Sequence, residues 1–327
     1  MTKSILLIGE ADTTYGLNQI IKQKSPKLVS GLYGSTSKLT TAFNYCQSLG
    51  VSEVYLANVQ TKTAYIDVLQ MAGQYDFTYI VPMGVHFGDR VYNKTAEREM
   101  SYAEVFLRIV TSMCNSILIM TDNEASLYED IDAFLDDMKN KIKRFKIEAN
   151  SILDNGRQLW FVANNLDGVS SSNVLLGALM TMTELPKYPT GKLPNAIFDI
   201  DEYDIGNSEL IYFKSNRHTT TSIENFVNFH NEATAYKIAM IDMVIRKINQ
   251  DIDLSGFKGK LFNNQTKLKI KSMLKDYLES IKGKLIRSYS IQSIDSYLLQ
   301  DYTYLIVTNF TILPVNSLEE CQVVIEV

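Results

Sequence analysis

The sequence predicts an α/β protein built on a mixed, largely parallel β-sheet flanked by helices, followed by an α+β part. Short apolar runs typical of buried strands alternate with helical patterns from residue 4 to residue 182. Such alternation indicates βαβ units, which build parallel sheets. Pro186, Pro189, Gly191 and Pro194 then crowd together, and a cluster of this kind marks a linker or a domain edge. We therefore expect an α/β domain over residues 1–190 and an α+β domain over residues 191–327.

Each element of the first part has its own signal. Predicted strands are apolar runs that stop at breakers, as Phe77–Val81 stops at Pro82. Predicted helices repeat apolar residues at helical spacing, as Ser37–Leu49 does before Gly50. The predicted strands are Ser4–Ile8, Val54–Val59, Phe77–Val81, Ser116–Met120 and Gln158–Ala163. The predicted helices are Ser37–Leu49, Ala64–Met71, Tyr102–Val110, Ser126–Ala149 and Val174–Met182.

The second part combines helices with strands. The predicted strands are Glu209–Phe213, Leu285–Ile291, Tyr302–Leu313 and Gln322–Val327, and the predicted helices are Ser222–Asn249 and Thr266–Ile281. In the helix Thr266–Ile281, apolar residues recur at helical spacing and predict a buried stripe made of Ile270, Leu274, Leu278 and Ile281.

Composition excludes several classes of protein. Hydrophobic residues make up 46% of the 327 residues and charged residues 21%, which excludes a disordered or fibrous chain. The net charge of −5 argues against a globally basic nucleic-acid or membrane binder. No apolar run approaches the roughly 18 residues of a membrane helix. Three scattered cysteines argue against a zinc site or a disulfide framework, so we expect a soluble chain made in a reducing cytoplasm.

No residue pattern assembles a catalytic site. His86 lies in a glycine-rich loop after a predicted strand and is the best enzyme candidate, but no nucleophile elbow accompanies it. His218 lies in a polar turn, and His230 beside Phe229 on a helix. The segment Gly31–Thr36 precedes a helix but lacks the Walker and dinucleotide-binding patterns, so a plain turn is favoured over a phosphate site.

The helix Ser126–Ala149 carries acidic residues early and basic residues late. This order complements the helix dipole. A metal site from the acidic residues is the alternative, but no His or Cys joins them, and a solvated helix face is favoured. We expect no catalytic residues, no metal and no cofactor.

The second part contains an ordered series of motifs. A threonine-rich turn, a helix with a basic segment, a glycine–lysine turn, a helix and a strand follow one another, and the residues are Arg217–Ser222, Met243–Ile248, Gly256–Asn264, Leu274–Ile281 and Leu285–Tyr289. In the order of these motifs, the second part resembles contractile tail sheath proteins of phages and phage-tail-like particles. The first part agrees more loosely, through Ile8–Ala11, Leu28–Ser30, Tyr33 with Gly34, Leu49–Leu56, Asp76–Met83 and Lys192–Asn195.

The resemblance implies a structural role without catalysis. Sheath proteins have a subtilisin-like core and form stacked hexameric rings around a tail tube, which they drive through a cell envelope by contracting. The implied partners are copies of the chain itself, the tail tube protein, and baseplate and tail terminator proteins, with no nucleic acid and no membrane. The implied location is the virion tail, assembled in the host cytoplasm.

The resemblance also implies two sets of contact residues. Lysines on the helix Thr266–Ile281 and just after it correspond to those that attach sheath to an acidic tube surface, namely Lys267, Lys269, Lys271, Lys275 and Lys282. The terminal strand is the candidate for addition to a neighbouring subunit, through Gln322, Val323, Val324, Ile325, Glu326 and Val327. A strand folded back on its own subunit is the alternative.

One departure from the family pattern leaves other functions open. Family members carry an extended arm before the core, whereas the first predicted strand here begins near Ser4. A sheath-derived, non-contractile collar or baseplate component is therefore the first alternative. An α/β enzyme or ligand-binding protein that uses the loop Gly84–Asp89 is the second.

Overall fold

The structure is a computed structural model of the chain. It describes residues 3–93, 96–113, 116–123, 125–152, 158–166, 171–182, 196–197, 200, 209–215, 221–224, 263–298 and 304–314. These residues fall into two compact units, with residues 3–224 in the first and residues 263–314 in the second. The division between residues 190 and 191 lies outside the described residues and stays a prediction.

The first unit is built on one large sheet. Its strands are β1 (Ile5–Gly9), β2 (Ile20–Gln23), β3 (Val54–Asn58), β4 (Tyr79–Pro82), β5 (Arg90–Asn93), β6 (Arg98–Ser101), β7 (Ile117–Thr121), β8 (Leu159–Val162), β9 (Leu210–Ser215) and β10 (Thr221–Glu224). Eight of these strands are joined in the order β10-β9-β8-β7-β4-β1-β3-β2, while β5 and β6 form a separate hairpin. The six inner strands are parallel, and β2 and β10 run antiparallel at the two edges.

Helices cover both faces of this sheet. They are α1 (Pro26–Tyr33), α2 (Lys38–Ser48), α3 (Ala64–Ala72), α4 (Tyr102–Met113), α5 (Ile131–Glu148) and α6 (Ser172–Met182). Helices α2 and α6 contact β1 and each other, with α1 against α2, whereas α3, α4 and α5 form the other layer. The predicted mixed, largely parallel sheet flanked by helices is thereby confirmed.

Local chemistry explains why the layers lie close to the sheet. Strands β1, β4, β7 and β8 are buried along their whole length, because helices cover both of their faces. Gly177 lets α6 approach the sheet, since a Cβ there would lie 2.8 Å from Ile5 Cδ1 and 3.0 Å from Val81 Cγ2. Asp130 caps α5 by accepting a hydrogen bond from the Ala133 backbone N–H at 2.8 Å.

In the described residues of the second unit, one helix packs on a long hairpin. Helix α7 (Asn264–Ile281) begins at Asn263, whose side chain accepts the Thr266 N–H at 2.9 Å. The strands β11 (Ile286–Leu298) and β12 (Tyr304–Pro314) pair with each other, and among the described residues the only further pairing is one isolated bridge between Ile286 and Lys282. The two strands follow the predicted runs Leu285–Ile291 and Tyr302–Leu313, with β11 extending seven residues further, to Leu298.

The structure corrects the sequence prediction at several places. Residues 222–224, predicted as the start of a helix, belong to strand β10, because their backbone pairs with β9 at the sheet edge. The predicted strands and helices did not include the strand β2, the helix α1 or the hairpin β5–β6. Helix α5 begins at Ile131, after a short 3₁₀ turn at Ala125–Leu127, rather than at Ser126.

Candidate functional site

The helix α7 has one buried stripe, and that stripe is the predicted one. Ile270, Leu274, Leu278 and Ile281 are 0–5% exposed. The last three form an apolar cluster with Ile286, against which the hairpin side chains Tyr289, Phe310 and Ile312 pack. This stripe holds α7 on β11 and β12, and most of the other side chains of the helix are exposed.

All five candidate lysines are exposed, but they do not share one face. Lys267, Lys271 and Lys275 follow one another at four-residue steps and form a row, which we call the α7 lysine row. At about 100° per residue, Lys282 lies in line with this row just after the helix ends, whereas Lys269 points at least about 120° away from Lys271 and Lys275. Helical geometry therefore separates Lys269 from the other four.

The lysine row presents positive charge without ion-pair partners in the described part of the chain, together with an apolar side chain. Among the described residues, none of Lys267, Lys271 and Lys275 makes an ion pair. Leu268 stands beside the row and is 66% exposed. This combination can bind an acidic partner surface that also offers an apolar contact.

Negative charge near the row lies at its far end. Glu279 accepts a hydrogen bond from the Tyr289 hydroxyl at 2.9 Å and pairs with Lys282 at 3.5 Å. The Tyr289 hydrogen bond, helped by the charges of Lys282 and Lys275, lowers the pKa of Glu279. Glu279 therefore stays ionised in mild acid and reduces the positive charge at Lys282 and at Lys275, which precedes it by four residues, so the row is most positive at Lys267 and Lys271.

The candidate strand residues Gln322–Val327 lie outside the described residues, so their pairing stays a prediction. The two-stranded sheet of the second unit is nevertheless a suitable acceptor. Strands β11 and β12 have 13 and 11 residues, and among the described residues only one isolated bridge, between Ile286 and Lys282, joins the hairpin to other backbone. A long unpaired strand edge presents backbone N–H and C=O groups to an incoming strand.

The carboxyl edge of the large sheet is where an α/β enzyme would place its ligand. A groove of about 300 Å³ lies there, and His86 lines it together with Lys38, Met83, Gly84, Thr121, Asn123, Leu127, Asn164 and Ser171. The His86 backbone N–H donates to Asp89 at 2.9 Å, while His86 Nδ1 is buried without a hydrogen-bond partner. No described serine or cysteine therefore hydrogen-bonds to the His86 ring nitrogen that is buried there.

The side chains of buried asparagines near this groove form hydrogen bonds with backbone groups. Asn173 donates to the carbonyls of Pro82 at 3.0 Å and Ile119 at 3.2 Å, and its Oδ1 accepts the Val174 N–H at 2.9 Å. Asn58 likewise accepts the Ala11 N–H at 3.1 Å. These amides hold the strand ends and loops in place rather than facing a substrate.

The other sequence candidates for ligand binding also serve the fold. At the start of α2, Thr36 Oγ1 donates to Asp12 Oδ2 at 3.1 Å, so a carboxylate already lies where a phosphate would bind. A side chain at Gly34 would collide with that carboxylate. On α5, Asp137 pairs with Lys141 at 2.7 Å. No cluster of metal-ligating side chains is found in the part of the chain that the structure describes.

No helix within the described ranges has the length and apolar character needed to cross a membrane.

Comparison with known proteins identifies the fold. No protein-family model and no curated protein matches the chain by sequence. Among solved structures, a chain of the anti-feeding prophage baseplate aligns over 99% of this chain and 93% of its own length, with a TM-score of 0.68 and 9% identity. A chain of the PVC sheath complex, an extracellular contractile injection system in its contracted state, aligns over 100% and 92%, with a TM-score of 0.68 and 14% identity.

Crystal structures of two bacterial sheath tail proteins are similar as well. The protein from Desulfitobacterium hafniense aligns over 96% of this chain and 97% of its own length, with a TM-score of 0.60 and 9% identity. The Listeria innocua protein aligns over 97% and 93%, with a TM-score of 0.62 and 9% identity. The chain has the fold of contractile sheath proteins over nearly its whole length, which confirms, at the level of fold, the resemblance carried by the sequence motifs.

Proposed function

We propose that this chain is a tail sheath subunit that polymerises as stacked rings around a tail tube and contracts to drive the tube through a cell envelope. The observation that carries the proposal is the two-way coverage: the alignments span 96–100% of this chain and 92–97% of the four matched chains, three of which are from sheath structures. A chain that shared only a common α/β core would not match the second unit. The work done in such a system is release of assembly energy, without turnover of a substrate.

The α7 lysine row is the proposed contact with the tail tube. Its three lysines and the exposed Leu268 are uncommitted within the described residues, and charges at the rim of a contact steer and orient a partner. Lys282 extends this contact. Lys269 lies on a different face of α7 and is assigned no direct part in it.

The terminal residues Gln322–Val327 are the proposed link between subunits. Residues 322–325 are a polar residue followed by three apolar ones, and an isolated segment of this kind is poorly ordered in water unless it is paired. Strand addition to an outer edge of β11 or β12 of a neighbour would supply main-chain hydrogen bonds. Assembly of this kind also requires baseplate and terminator partners at the two ends of the polymer, and it places the protein in a virion tail assembled in the host cytoplasm.

Charge reversal in α7 tests the tube contact, with a matched control on the same helix. Purified protein is mixed with tubes of the same particle, and bound protein is measured by co-sedimentation and negative-stain microscopy. The variant Lys267→Glu/Lys271→Glu/Lys275→Glu should reduce attachment at about 50 mM salt by about tenfold or more, because opposed charges become like charges. Lys271→Glu alone should reduce attachment more than Lys269→Glu.

The outcomes of this experiment separate the proposals. Equal attachment of the Lys269 and Lys271 variants would remove the lysine row from the interface. A strictly monomeric wild-type chain that binds a nucleotide or hydrolyses an ester would overturn the sheath assignment altogether.

A second candidate function is a sheath-derived, non-contractile collar or baseplate component. It is favoured by the similarity to a chain from a baseplate structure, which scores as highly as the similarity to the contracted sheath chain. Microscopy distinguishes the two functions, because a sheath forms long tubes, whereas a collar or baseplate component forms single rings that do not lengthen with concentration.

A further inference from the structure

The charged side chains of α5 fall into two sets. One set is bound within its own unit. Lys141 Nζ lies 2.8 Å from Asp122 and 2.7 Å from Asp137, and Arg144 pairs with Glu148 at 2.9 Å. These pairs tie α5 to the loop after β7 and stabilise its last turns, so their charges are compensated within the subunit.

The other set forms a row on the outer face of the helix. Asp132, Asp136, Lys139 and Lys143 are all exposed, and none of them makes an ion pair with a described residue. Steps of four, three and four residues place them on one face, opposite the buried Phe134, Leu135, Met138, Ile142 and Phe145. We call these four residues the α5 charge row.

Two like-charge pairs in this row cost free energy in a single subunit, and the attraction between Asp136 and Lys139 at three-residue spacing offsets only part of that cost. Asp132 and Asp136 are like charges four residues apart, and so are Lys139 and Lys143, and such pairs destabilise a helix. The helix dipole favours acids early and bases late, but this effect fades beyond the first and last turns. Asp136 and Lys139 lie in the middle of the helix, where the dipole gives no reason for their order.

We propose that the α5 charge row is a self-complementary docking surface for a second copy of this chain, bound with the two α5 helices antiparallel. The row is symmetric about the midpoint between residues 137 and 138. An antiparallel partner therefore places its Lys143 against Asp132 and its Lys139 against Asp136, and the two-fold axis repeats both pairs. Each of the four charged residues in a row then faces a residue of opposite charge on the partner.

Two further features agree with the antiparallel orientation. A parallel partner shifted by seven residues, about 10 Å along the axis, would form only two of these pairs. Leu127 precedes α5 and is 72% exposed, and Ile147 lies in its last turn and is 71% exposed. In the antiparallel pair, Leu127 of one copy and Ile147 of the other lie at the same end of the contact, so apolar residues flank the ion pairs.

The contact is independent of the proposed sheath polymer. A two-fold contact buries the same patch on both copies and is complete with two subunits, whereas rings and tubes grow through head-to-tail contacts. Ion pairs between exposed side chains are individually weak and are screened by salt. The resulting dimer is therefore a weak, salt-sensitive species that forms before or outside the polymer.

Two variants of identical composition and net charge test the contact. Asp132→Lys/Lys143→Glu exchanges charges across the symmetry midpoint, so every antiparallel pair keeps opposite signs. Asp132→Lys/Lys139→Glu makes every antiparallel pair a pair of like charges, while the two pairs of a shifted parallel contact stay favourable, as they are in the wild type. The full-length chain and both variants are compared by sedimentation velocity at about 50 mM and about 500 mM salt, following species between monomer and polymer.

We expect wild-type protein and the first variant to dimerise with dissociation constants within about threefold of each other, and the second variant to dimerise at least about tenfold more weakly. High salt should abolish the difference. Equal behaviour of the two variants, or a wild-type chain that shows no dimer at millimolar concentration, would overturn the proposal. Because circular dichroism checks folding and rings or tubes are scored separately, failure of this contact is distinguishable from failure of the sheath assignment.

Discussion

Glu104 is a buried charge held between two arginines that reach the surface. Its Oε1 accepts from Arg98 Nη2 at 2.6 Å and from Arg108 Nη2 at 2.9 Å and Nε at 3.3 Å. Glu104 is 0% exposed, whereas the side chains of both arginines are 41% exposed. Its second oxygen, Oε2, is buried without a hydrogen-bond partner. If their partner is removed, the arginines can turn to water, but the carboxylate cannot.

This asymmetry predicts that removing the two arginines destabilises the first unit more than removing the carboxylate does. Replacing both arginines, as Arg98→Met/Arg108→Met, leaves an uncompensated buried carboxylate and should lower the free energy of unfolding by about 3–5 kcal/mol. Replacing the carboxylate, as Glu104→Met, removes the desolvated charge and should change the free energy of unfolding by about 1 kcal/mol or less, because exposed ion pairs contribute little.

Urea unfolding measures the difference directly. Trp160 is the single tryptophan of the chain and is 0% exposed in β8, so its fluorescence reports the unfolding of the first unit. With a slope of about 2.5 kcal/mol per molar, the double arginine variant should lower the midpoint by about 1–2 M and Glu104→Met by less than about 0.5 M.

The control and the refuting result are specific. Arg108 also donates to Ser151 Oγ at 3.3 Å, so Ser151→Ala measures what the loss of that bond contributes. If Glu104→Met lowers the midpoint as much as the double arginine variant does, the carboxylate is a net stabilising group, and the reasoning from its desolvation is wrong.

Two further predictions concern pH and the chain terminus. Burial raises the pKa of Glu148, but hydrogen bonds from Arg90 at 2.8 Å and Arg144 at 2.9 Å outweigh it, so the net pKa is lowered. The stabilisation from Glu148 is therefore full above about pH 5 and is lost as the pH falls through the folded pKa. In the Glu148→Gln variant, the urea midpoint of the first unit should depend less on pH in that range. Deleting Gln322–Val327 should abolish polymers in negative-stain images and leave a folded monomer of nearly unchanged melting temperature. A truncated chain that unfolds or precipitates would assign the strand to its own subunit.

Periodicity along the chain was enough to predict the elements that carry their own hydrophobic pattern. The strands β1, β3, β4, β7 and β8 are continuous apolar runs, because helices bury both of their faces. The stripe of α7 could be predicted residue by residue, since helical spacing alone decides which side chains share a face. The exposure of the five candidate lysines follows from the same periodicity.

Tertiary structure decided the elements whose order comes from their neighbours. Strand β2 has only Ile20 and Ile21 as apolar residues and exists by pairing with β3. Strand β10 replaces the predicted helix start because the edge of β9 offers it backbone partners. Such pairing joins segments that are far apart in sequence, so no local sequence pattern predicts it.

The charges of α5 show the same division most clearly. The sequence alone determined that acids precede bases along this helix and that the helix has an outer face. Only the packed structure decided that Asp137, Lys141 and Glu148 are bound within the subunit while Asp132, Asp136, Lys139 and Lys143 face outward without described partners. The physical reason is distance: Asp122 and Arg90 come within hydrogen-bonding range of α5 only when the sheet and its helices are packed together.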